Sequence, residues 1–152
     1  MSVPLRDALQ QCRRHADVLA KASADLPPTF ELSHVLTPDD ALVRVGDQFV
    51  LRFIKLQDTL GEQVLRPFTA DVLGEPVSDL PLIDVLNRLE RFGFVALADW
   101  ARWRTLRNAL THEYPDRPEL RVAILNDALD AARGLEALLA RLEARVAATG
   151  AG

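Results

Sequence analysis

Over roughly residues 118 to 147, Leu120, Ile124, Ala128, Ala131, Leu135, Leu138 and Leu142 recur at alternating steps of three and four. That is the period of one helix face, and it does not fit the two-residue alternation of a strand. A long helix with an apolar stripe has to be covered by other elements, so this segment constrains the fold more than any other. Nothing else in the chain argues for sheet. Leu, Ala and Arg are abundant, and alternating Val/Ile/Thr runs bounded by turns are missing.

The other helices announce themselves by punctuation. Pro4 opens a first one, with Leu5, Leu9, Cys12, Ala16, Leu19 and Ala22 at helical spacing, and Pro27-Pro28 stops it. Thr37-Pro38-Asp39-Asp40 predicts a second start, with the threonine as cap and two acids at the positive helix end. Leu42, Val45, Phe49, Phe53, Leu56 and Leu60 form one apolar line there, with Val43, Val50 and Ile54 as a second line beside it. Two adjacent stripes predict a helix buried over a wide arc at the centre of a bundle, bent or ended by Gly61 and Pro67. Ser78-Asp79-Leu80-Pro81 starts a shorter helix, with Leu82, Val85, Leu86 and Leu89 on one face, and Gly93 stops it. A fourth covers about 98 to 113, ended by Tyr114-Pro115, and Gly150 and Gly152 predict a frayed tail. The expectation is one all-α domain over residues 1–152, a bundle of about five helices.

Composition narrows the function classes. With 152 residues and 49% apolar content a sizeable core is available. The net charge of −4 argues against a protein that coats nucleic acid through bulk charge, though not against a small basic site. One cysteine, Cys12, excludes an intrachain disulfide and a Cys-rich zinc site, and no His-Glu-x-x-His spacing exists. No metal and no cofactor are therefore expected. No apolar run reaches membrane-spanning length and the start has no basic-then-apolar pattern, so the expected compartment is the cytoplasm.

Polar and reactive groups concentrate in one stretch, Arg102-Trp-Arg-Thr-Leu-Arg107-Asn108-Ala-Leu-Thr-His112-Glu-Tyr114-Pro115. It offers a permanent cation, an amide, a titratable imidazole and the chain's single phenol. Asn108 and His112 are four apart and share a helix face. Arg107 and His112 are five apart, about 140° around an ideal helix. To act on one target, either the helix unwinds near His112 or a second copy of the chain completes the site. Pro115 favours unwinding, and an extended His112–Tyr114 pair points both rings the same way.

Arg107-Asn108-x-x-x-His112-x-Tyr114 resembles the R-x4-H-x-Y motif of the HEPN superfamily, in its HepT-like toxin branch. The resemblance covers about residues 102 to 115. It implies an α-helical bundle that forms a homodimer, with two motif copies meeting in a cleft, and metal-independent endoribonuclease activity on RNA. It also implies a partner, an MNT-type nucleotidyltransferase antitoxin that silences the toxin by attaching AMP to the motif tyrosine. Carried onto this chain, Arg107 and His112 are the catalytic pair, Asn108 supports them, and Tyr114 is the AMPylation target. Arg104, Arg52 and Lys55 are candidate RNA contacts. The segment Arg52-Phe-Ile-Lys55-Leu-Gln-Asp58 with Gly61, and the first 35 residues or so, map onto no family feature.

Plainer readings compete. A lone arginine or histidine at a helix end is ordinarily solvated or paired, and only the combined spacing argues otherwise. His15 and His34 have no partner pattern and read as surface residues. Trp100 and Trp103 read as packing residues before base-stacking ones. Arg102, Arg104, Arg107, Arg117 and Arg121 are interleaved with Asp99, Glu113, Asp116 and Glu119, so part of that cluster reads as surface pairing. The competing function is a non-catalytic helical module that docks a nucleotidyltransferase or binds nucleotide.

Overall fold

Ser2 caps the first helix, its hydroxyl accepting from the Leu5 N–H at 3.3 Å, and α1 runs Val3–Asp25 before Pro27 and Pro28 end it. In the computed structural model, which describes residues 1–150, every regular element is helical. After α1 come α2 (Leu32–Leu36), α3 (Asp40–Thr59), α5 (Leu82–Arg91), α6 (Leu97–Ala109) and α7 (Pro118–Ala148). Between α3 and α5 the helix continues through a wide π-type turn at Leu60–Val64, a short α4 at Leu65–Pro67 and a second wide turn at Phe68–Val72. No helix among the described residues is long and apolar enough to cross a membrane.

The last helix is as its periodicity predicts. Ile124, Ala128, Ala131, Leu135, Leu138 and Leu142 are buried, and Leu120 is half-buried. α1 lies along α3 and also contacts α7. Its buried face is Leu5, Leu9, Cys12, Ala16, Leu19 and Ala22. The first 35 residues thus contribute a face to the core. Asn126 of α7 fastens the segment after α1 by accepting from the Phe30 N–H at 2.7 Å and donating to the Phe30 carbonyl at 3.1 Å.

Several local expectations are corrected. Thr37 closes α2, its N–H on the Ser33 carbonyl, while the cap of α3 is Asp39, whose carboxylate accepts from the Leu42 N–H at 2.8 Å. The buried arc of α3 is narrower than two apolar lines suggested. Phe49, Phe53 and Leu56 are fully buried, but Val50 and Ile54 are half-buried and Val43 is 43% exposed.

At Gly61 the regular α-helix does give way, since α3 ends at Thr59, but the chain carries on helically across Pro67. Pro67 lacks the N–H an α-turn requires, and the chain answers by widening rather than stopping. The Leu65 N–H bonds the Leu60 carbonyl and the Leu73 N–H bonds the Phe68 carbonyl, each five residues back. The widening has a packing consequence. Leu56, Leu60, Val64 and Phe68 are spaced by four and all are fully buried. In an unbroken α-helix each step of four drifts by about 40°, which would carry Phe68 well away from the face that Leu56 occupies. The first wide turn, at Leu60–Val64, absorbs most of that drift.

Gly93 ends α5 as expected, in the left-handed region at φ 82°. The Phe94 N–H reaches the Leu89 carbonyl and the Gly93 N–H reaches the Glu90 carbonyl, so two terminal carbonyls are satisfied. The Glu90 carboxylate then accepts from the Leu97 N–H at 2.7 Å and starts α6. α6 is seated by two tryptophans. Trp100 and Trp103 are 2% and 3% exposed, which makes them packing residues and removes them as base-stacking platforms. They sit over glycines, Trp100 against Gly61 and Trp103 against Gly134 of α7.

Candidate functional site at the end of α6

The motif straddles the exit of α6. The helix ends at Ala109, earlier than the predicted 113, and tightens through a last turn in which the His112 N–H bonds the Ala109 carbonyl at 3.1 Å. His112 and Tyr114 therefore stand outside the helix, the first of the two alternatives that the 140° separation left open. They do not form an extended pair. Tyr114 is in the left-handed region at φ 53°, a backbone state uncommon for a residue with a side chain. The two rings meet edge to face with centroids 5.9 Å apart. His112 is exposed and Tyr114 half-buried. The Arg121 guanidinium of α7 donates to the His112 carbonyl at 2.8 Å and so pins the turn. Burial lowers the pKa of that arginine, against the raising influence of Glu113, Asp47 and Tyr114.

Arg107 does not face solvent freely. Its Nε and Nη2 donate to the two carboxylate oxygens of Asp58 on α3, at 2.8 and 2.7 Å. Both side chains are 28% exposed, and the hydrogen bonds to Asp58 raise the Arg107 pKa against the cost of its burial. A guanidinium carries five N–H donors in a planar fork, so Nη1 and one Nη2 donor remain for another acceptor. Asp58 is the neighbour of Arg107 that spacing does not reveal. The only signal for it in the sequence is an acid on α3 that belongs to neither apolar line. Arg107 makes no hydrogen bond to His112.

Of the other candidates, Asn108 is exposed, and its carbonyl accepts from the Thr111 hydroxyl at 2.6 Å. Arg104 and Lys55 are exposed. Arg52 is half-buried and its Nη1 lies 2.9 Å from the His15 Nδ1. His15 is accordingly not a bare surface residue. Burial first, then the charges of Arg52, Lys55 and Arg14, hold its imidazole below its ordinary pKa. His34 is likewise half-buried, its Nδ1 accepting from the Glu31 N–H at 2.8 Å. Of the arginine cluster, Arg102 pairs at 3.3 Å with Asp130 of α7 rather than with any of the interleaved acids.

Tyr114 also lines a groove of about 500 Å3 between α2, α3 and the start of α7. Phe30, Leu42 and Val43 form apolar wall, while His34, Asp47 and Arg121 supply polar groups. No grouping of His, Cys, Asp and Glu suited to a metal occurs among the described residues. Comparison with known protein families, with curated proteins and with solved structures returns no match.

Proposed function

We propose that the chain is a HepT-like toxin of a toxin–antitoxin pair, a metal-independent endoribonuclease that acts in the cytoplasm as a homodimer. The observation that carries this reading is the state of the motif at the end of α6. An exposed imidazole follows a guanidinium that is held in a fork-shaped hydrogen bond yet keeps free donors.

The chemistry needs no cofactor. One imidazole takes the proton of the RNA 2′-hydroxyl, whose oxygen attacks the adjacent phosphorus. The P–O5′ bond breaks and a second imidazole returns a proton to the leaving oxygen, giving a 2′,3′-cyclic phosphate and a 5′-hydroxyl. Histidine suits both roles near neutral pH. The free face of Arg107 stabilises the extra charge of the crowded phosphorus. Pairing two chains supplies the second imidazole. Silencing follows from AMP placed on Tyr114 by an MNT-type nucleotidyltransferase, which adds bulk and a negative charge beside His112.

Producing the chain alone in cells should arrest growth, and Arg107→Ala or His112→Ala should relieve the arrest. Purified protein should cleave RNA in the presence of a chelator. Equal toxicity of the wild-type and variant chains overturns the reading. Co-production with the adjacent nucleotidyltransferase should add AMP by intact mass, and Tyr114→Phe should abolish the addition.

A second reading, a non-catalytic module that docks a nucleotidyltransferase or binds nucleotide, is favoured by one observation. Asp58 neutralises Arg107, which weakens its pull on a phosphate. Nucleotide binding without any RNA cleavage by the purified chain would select it.

A further inference from the structure

We propose that the α1–α3 face is a path for RNA phosphates, crossing α3 obliquely from Arg14 and Arg52 through Lys55 toward Arg107. The nature of the polyanion rests on the reading above; the path itself rests on where the cations stand.

Residues 52, 55 and 58 of α3 are three apart. Each step rises about 4.5 Å and turns back about 60° around the axis, so the three positions cross the outer surface as a diagonal. Its first end meets α1, where Arg52 contacts His15 at 2.9 Å. Its last end meets α6, where Asp58 holds Arg107. Lys55 stands between them, exposed.

The charges on this face are unmatched. Arg13, on the neighbouring position of α1, is tied to Asp17, Glu136 and Glu143, and Arg44, Arg88, Arg102, Arg107 and Arg133 each pair with a carboxylate. Among the described residues Arg14, Arg52 and Lys55 make no such pair. The Arg52 Nε is buried and has no hydrogen-bond partner. These three cations stand together beside a histidine whose protonation they oppose. An anion relieves that repulsion. Arg52 and Lys55 stand about 4.5 Å apart along α3, with Arg14 beside them on α1 and Arg107 beyond Asp58, a row that suits successive phosphates of one strand better than a single ion.

The test is binding rather than cleavage. In a His112→Ala background, the full chain is titrated with a fluorescent single-stranded oligouridylate across a salt series. Each of Arg14→Gln, Arg52→Gln and Lys55→Gln should weaken binding and reduce the log–log salt slope by about 0.7, and the triple variant by about 2. Arg133→Gln, a paired cation on α7, should change neither. Since Arg52→Gln can disturb the α1–α3 packing, the exposed Arg14→Gln/Lys55→Gln pair decides the matter. An unchanged slope in that double variant overturns the path, as does absence of RNA binding by the parent. Displacement of the RNA by inorganic phosphate at matched ionic strength overturns it too, because it marks a site for a single free anion. If the double variant binds RNA unchanged and the His112-intact chain cleaves, the path fails and the nuclease reading stands. A reduced slope in a chain that never cleaves has the opposite meaning.

Discussion

Replacing Gly134 by alanine tests how α6 is held, and with it the placement of Arg107 one turn beyond Trp103. A Cβ at position 134 meets the Trp103 ring at 2.5 Å, whereas ordinary contact begins at 3.4 Å, so ring or helix must give by about 0.9 Å. Trp103 is 3% exposed and its surroundings are close-packed, so there is little room for the ring to yield. Overpacking of this kind costs about 1–3 kcal/mol. Against it stands the helix preference of alanine over glycine, about 1 kcal/mol. Gly46 separates the two effects, because it lies within α3 and a Cβ there meets nothing within 4 Å. Gly46→Ala should therefore stabilise by about 0.5–1 kcal/mol. The preference cancels between the two variants, leaving Gly134→Ala about 1–3 kcal/mol below Gly46→Ala. At about 2–4 °C per kcal/mol for a chain of this size, parallel thermal melts followed by circular dichroism resolve the difference. A Gly134→Ala protein that melts at or above Gly46→Ala refutes the proposed seat of α6.

Three further outcomes are expected. Asp58→Asn should cost about 1–2 kcal/mol by chemical denaturation, since it weakens a half-buried, charge-assisted pair; it should also lower kcat more than it raises KM, and an unchanged kcat would show that Arg107 needs no positioning. His15 has a lowered pKa in the folded chain, so below its ordinary value of 6.5 the unfolded chain binds more protons and stability falls with falling pH. His15→Gln should flatten that decline, and an equal slope in both proteins would reject the assignment. The Cys12 thiol is pushed up to about 12, chiefly by burial and then by Glu143, so it should react with a thiol reagent at pH 8 only as fast as the chain opens. Reaction at the rate of a free thiol would contradict its placement in the core.

The sequence made most of the helices legible because their apolar spacing is regular and their ends carry proline or glycine. α7 ends within a residue of its predicted limit for that reason. What escaped was irregular or non-local. The five-residue α2 is too short to show a period. Thr37 and Asp39 are both capping residue types, and only the folded backbone decides between them. The wide turns follow no 3.6-residue repeat, so they read as a break. At the candidate site, the spacing of Arg107, Asn108, His112 and Tyr114 could be read directly. The Asp58–Arg107 pair joins residues 49 positions apart, a distance that no local pattern bridges. The left-handed backbone of Tyr114 also ran against expectation, since the residue before proline favours extended geometry.

The two wide turns have a bearing on length variation in this part of the chain. Each holds one residue more than an ordinary turn, so trimming a single residue from Gly61–Val64 would let the backbone relax into regular α-helix. Four residues of regular helix turn the chain about as far as five residues of the wide turn, so everything downstream would keep its facing, with Phe68 still against Phe94 and Arg66 still within reach of the Val77 carbonyl. Loss of one residue there should therefore be tolerated, whereas a further inserted residue, with no turn left to absorb it, should rotate the rest of the chain by about 100°.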